Sequence, residues 1–109
     1  MIAKNDRNID AYKNAGAYMR LLKTAGTKAL IEISKVLYAK DTDRLIKALN
    51  TIDEICSRAE DNMFRDYPDL SNEYIDVFYG DVSDIPRNDV DEEIINLARE
   101  KANELFKRD

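Results

Sequence analysis

Four acidic side chains, Asp53, Glu54, Glu60 and Asp61, are the residues of this 109-residue chain most suited by type and spacing to chemistry. Asp53 and Glu60 are seven apart, as are Glu54 and Asp61, so on a helix each pair shares a face. Carboxylates held that way suit Mg²⁺, a hard cation that takes oxygen ligands and can activate water for hydrolysis. Such a site needs acids from a second helix, and Asp91, Glu92 and Glu93 are the candidates. Carboxylates are also what the composition leaves. The chain has no histidine, which removes the commonest general base, every Ser-His-Asp or Cys-His relay and every metal site that requires imidazole. The one cysteine, Cys56, falls on an apolar stripe and reads as a small buried residue rather than a nucleophile.

Helical nucleotide pyrophosphohydrolases hold magnesium between helices with acids of this kind, and a Mg-dependent enzyme of that type is one reading of the chain. Their EExxE motif is absent here. The four acids also miss the apolar stripe of their own helix, so an exposed charged face accounts for them. Asp81-Val82-Ser83-Asp84 has the look of a calcium loop, but Pro86 stands where an EF-hand requires glycine. There is no glycine-rich phosphate loop and no serine-centred nucleophile motif. The sequence indicates no cofactor and no catalytic residue.

Charge is distributed more tellingly than any motif. The net charge is −5, yet residues 1–59 carry +4, residues 60–93 carry −10 and residues 94–109 carry +1. The acidic third also holds Phe64, Tyr67, Tyr74, Phe78 and Tyr79, five of nine aromatics. Acids steer a basic partner and buried aromatics supply affinity. The candidate partner-binding residues are therefore Phe64, Asp66, Tyr67, Asp69, Glu73, Asp76, Tyr79, Asp81 and Asp84. A nucleic-acid-binding protein, with a basic groove, is one partner of that chemistry. Capping and helix-dipole effects explain some of the same acids locally. Direct nucleic-acid binding is disfavoured, because duplex affinity comes from clustered Lys and Arg. Lys13, Arg20, Lys23, Lys28 and Lys35 form only a loose stripe, read as the wet face of a helix.

Helices must position all of this. Apolar residues at Ile9, Tyr12, Met19 and Leu22 repeat at helical spacing, and Gly26-Thr27 reads either as a stop followed by a cap or as a glycine tolerated inside one longer helix. Leu30, Ile33 and Leu37 form the next stripe. Asp41-Thr42-Asp43 suits an N-cap. Leu45, Leu49, Ile52, Cys56, Ala59 and Met63 follow heptad spacing for almost three repeats. That stripe reads either as a bundle seam or as the contact of a structural homodimer. Pro68 ends this helix, Ser71 and Gly80 bound a short one, and Asp89 with Glu92 resembles a capping box. The expectation is an all-α bundle of four to five helices over about 8–25, 27–39, 42–66, 71–79 and 89–107, in one domain with residues 1–6 frayed. No stretch approaches the roughly 20 apolar residues of a membrane span. With one cysteine and no apolar leader in Met1-Ile2-Ala3-Lys4-Asn5-Asp6, the expected location is cytoplasmic. The leading functional expectation is a non-enzymatic interaction module, a small regulator or inhibitor engaging a basic partner.

Overall fold

Apolar residues recurring every three or four positions give helices with one face to hide, and here three of them hide against one another. The computed structural model describes residues 1–80 and 85–107. Within them α1 spans Ile9–Ile33, α2 spans Ala39–Asp66 and α3 spans Asp89–Leu105, with single 3₁₀ turns at Lys4–Asp6 and Asn72–Tyr74. No strand occurs among the described residues. The all-α class read from the sequence holds, but the count of four to five helices does not.

The first correction is at Gly26. The expected helices over 8–25 and 27–39 are one continuous helix that ends at Ile33. Gly26 does not take the left-handed conformation of a helix stop. It faces α2, where a Cβ would lie 2.7 Å from Leu49 Cδ2, so the missing side chain lets the two helices approach. The chain turns instead at residues 34–38, and α2 begins at Ala39 rather than 42. Its N-cap is Tyr38, which has no side-chain capping bond, while the expected cap residue Asp41 sits inside the first turn and meets the helix dipole there.

The second correction is the helix expected over 71–79. That segment makes one 3₁₀ turn and then irregular turns, with i→i+3 bonds from Ile75 to Asn72, Val77 to Tyr74 and Tyr79 to Asp76. A tertiary contact competes with helix formation: Arg20 of α1 donates to the carbonyls of Asp76 and Val77. At α3 the cap is Asn88 rather than Asp89. Its side chain accepts from the Asp91 N–H at 2.8 Å, and Asp91 Oδ2 accepts from the Arg87 N–H at 2.9 Å. The forward half of the expected capping box survives, shifted by one residue, while the return bond goes to the Arg87 N–H rather than to that of the cap residue.

Helices α1 and α2 form an antiparallel hairpin, with Arg7 just before α1 meeting Asp66, and Lys23 meeting Asp53. The heptad stripe is the inner seam of this hairpin. Cys56 and Met63 are fully buried, and Ile52 and Ala59 pack on the same core. Helix α3 lies on the N-terminal half of α1, tied by Lys13 to Glu93 and by Lys101 over the ring of Tyr18. The core therefore gathers at one end of the hairpin, around Ala17, Phe78, Ile94 and Ala98. Among the described residues no third helix covers the other end, beyond about residue 22 of α1. The molecule is long for its mass. It measures 47 × 32 × 29 Å with a radius of gyration of 15.5 Å, against about 13 Å for a compact chain of this length. Its accessible surface is 7697 Å², against about 6,200 Å² for a compact monomer of its mass.

Candidate functional site

Most of the described acidic and aromatic residues named from the sequence are turned to internal work. Asp66, at the end of α2, takes a bidentate pair from Arg7, with Nε at 2.8 Å and Nη2 at 3.2 Å, and a third hydrogen bond from the Tyr12 hydroxyl. Tyr67 donates to the Arg7 carbonyl at 2.9 Å and packs edge-on to Tyr12. Phe64 packs against the core. Asp76 pairs with Arg87 at 3.1 Å, and Tyr79 lies under the Lys23 ammonium at 4.8 Å. Asp69 and Glu73 are exposed. Asp81 and Asp84, like the whole Asp81-Val82-Ser83-Asp84 segment, lie outside the described residues.

Next to this cluster Lys4–Asp6 make a 3₁₀ turn, and Arg7 Nη1 donates to the Ile2 carbonyl at 2.7 Å. Hydrogen bonds from Arg7 and Tyr12 hold the Asp66 carboxyl well below the usual carboxylate range. A group whose value is lower folded than unfolded stabilises the fold above its unfolded value, and that contribution fades as pH falls below about 4. The thermal midpoint of the wild-type protein is therefore expected to drop more steeply between about pH 5 and 3 than that of Asp66→Asn. Parallel curves for the two proteins would show that this carboxylate carries no such linkage.

The acids considered for magnesium do not come together. Asp53 is paired with Lys23 at 2.9 Å, and Asp91 is buried against Arg20 at 2.7 Å. The Glu60 carboxyl is pushed up by burial and by Asp61 and Asp76. Among the described residues no group of three or more acid, cysteine or histidine side chains is arranged to hold a metal ion. Burial pushes the Cys56 thiol up, with Lys23 opposing, which leaves it a poor nucleophile.

The uncovered end of the hairpin is the surface that stands out. Tyr18, Leu22, Ala25, Ala29 and Ile33 share one face of α1, and all five are exposed. The stripe runs into the turn, where Val36 is 78 % and Tyr38 87 % exposed. Ile46 and Ile55 add exposed apolar surface on α2. Lys35 and Lys40 flank the turn, with Arg44 and Lys47 following. Between Lys28 and Lys47 there are five basic and three acidic residues, so this end carries +2 and the rest of the chain −7.

No protein-family model, curated protein or solved structure matches this chain.

Two concave features accompany these surfaces. An open cleft of about 560 Å³ lies between α1 and the turn before residue 81, lined by Lys23, Thr24, Thr27, Lys28, Tyr79 and Gly80 among others. A shallower groove of about 330 Å³ runs along α3, where Asp89, Glu92, Glu93 and Glu100 surround half-buried Leu97. Sequence reasoning placed Leu37 in a hidden stripe and missed the hairpin end. A usable signal was there: Val36-Leu37-Tyr38-Ala39 is a run of four apolar residues between lysines, more than one helix face can bury. Among the described residues no helix is long and apolar enough to cross a membrane.

Proposed function

We propose that this protein is a non-enzymatic protein–protein interaction module, of the kind that serves as a small regulator or inhibitor, and that it works through two opposed poles. One pole is the acidic core end, which attracts a basic partner. The other is the apolar end of the α1–α2 hairpin. The observation that carries this reading is the run of exposed apolar residues along α1 and the turn from Tyr18 to Tyr38. Scattered exposed apolar residues are ordinary, but a contiguous patch rimmed by charges marks a contact surface. Aromatic and large aliphatic side chains held by helices also lose little entropy when they dock.

The test is a site-specific photocrosslink in cells that produce the protein. With Tyr38 replaced by p-benzoylphenylalanine, illumination is expected to give a discrete covalent protein adduct. The same group at Glu54, exposed on the outer face of α2, is expected to give none. No adduct from position 38, or equal labelling from both, would overturn the reading.

A further inference from the structure

The two poles complement each other, yet they cannot meet within one chain. The hairpin turn lies about 20 residues along α1 from Lys13, where Glu93 of α3 is tied. At 1.5 Å per residue that is roughly 30 Å of straight helix. A lysine-flanked apolar end at one pole and an acid-lined groove holding Leu97 at the other are therefore open to another molecule. We propose that this molecule is a second copy of the chain, packed antiparallel, so that the hairpin end of each copy enters the acidic groove of α3 in the other.

Charge complementarity supports this occupant. The hairpin end is +2 and the remainder −7, so antiparallel copies set unlike charges side by side, whereas parallel copies oppose like charges. Lys35 and Lys40 bracket Val36 and Tyr38 along the chain, and Glu92 and Glu100 line the groove together with Leu97. Geometry supports it as well. A twofold axis that sets each hairpin end at the other copy's groove satisfies both poles of both copies at once. Such an arrangement closes and leaves no free end to propagate.

This inference rests on the reading of the hairpin end as a contact surface, and the experiment separates the two. Sedimentation equilibrium of the purified protein at roughly 100 µM is expected to give twice the chain mass. Lys35→Glu/Lys40→Glu at the hairpin end, and separately Glu92→Lys/Glu100→Lys in the groove, are each expected to weaken dimerisation about tenfold or more, with a dimer weakened further by added salt in the wild type. All four residues are exposed or half-buried on the surface, and circular dichroism checks that each variant keeps its helices. Mixing the two variants restores the dimer, because both ends then face opposite charge. A monomeric wild-type protein at that concentration, or a dimer indifferent to both variants, overturns the inference. A monomer whose position 38 crosslinks a different protein leaves the contact-surface reading standing. A monomer with no such crosslink removes both.

Discussion

Asp91→Asn is expected to cost about 3–5 kcal/mol of folding stability, the usual result of removing one partner of a buried ion pair. Arg20 and Asp91 are among the most enclosed side chains in the molecule, and Nη1 lies 2.7 Å from Oδ1. The guanidinium is fully committed in other directions. Nε donates to the Val77 carbonyl at 3.1 Å and Nη2 to the Asp76 carbonyl. Arg20 thereby joins α1, the irregular segment after Asn72 and the start of α3. Burial lowers the guanidinium from its ordinary value and opposes the ionised Asp91 carboxylate, but the hydrogen bond from the Arg87 N–H and the Arg20 guanidinium outweigh it, so Asp91 stays charged. Neutralising Asp91 leaves a cation in the core without its counter-charge, in a protein whose total stability is of order 5–15 kcal/mol. Urea unfolding measures the loss. Arg20→Met with Asp91→Asn is expected to lose less than the two single changes summed, since no unpaired charge remains. A single-variant loss within about 0.5 kcal/mol of zero, the range of ordinary surface changes, would show that the pair does not hold the core together.

The second large effect separates two glycines that look alike in sequence. Gly16→Ala places a methyl 2.5 Å from the Val77 carbonyl oxygen and 2.6 Å from Val77 Cγ1. The oxygen is backbone, and the Arg20 bond already fixes it, so the segment has to move away from α1. Overpacking of this kind costs about 1–3 kcal/mol, more than the roughly 1 kcal/mol that alanine gains over glycine in a helix. Gly16→Val, larger again, is expected to lose more. Gly26→Ala meets only the end of the Leu49 side chain, which can rotate, so its expected change is near zero or stabilising. Thermal midpoints decide it. The comparison fails if the two alanine variants shift the midpoint alike.

Charge reversal at the acidic end has to respect the same architecture. Asp66 and Asp76 are engaged by Arg7 and Arg87, so changing them disturbs the fold as well as any surface. Glu92 and Glu100 on α3 are exposed, which is why the association test uses them.

Helix class was legible in the residues because it depends on local periodicity. The heptad run from Leu45 to Met63 marks one helix, and Pro68 marks its end, since both act through their own segment's backbone. The same run also located the seam of the hairpin, with Cys56 and Met63 buried in it. What the residues left open were the features that depend on a distant neighbour. Whether Gly26 stops a helix or admits Leu49 depends on α2 being there. Arg20 belongs by spacing to a wet basic stripe with Lys13 and Lys23, and only the arrival of Asp91 and the Asp76 and Val77 carbonyls turns it inward. The acidic third could be counted from the sequence, but its division into internal partners, such as Asp66, and exposed acids, such as Glu92, is a tertiary outcome. So is the exposed hairpin end. An apolar stripe records that a surface is to be covered, and only the folded chain shows that α3 covers one half of α1 and leaves the other half, from Leu22 to Ile33, uncovered.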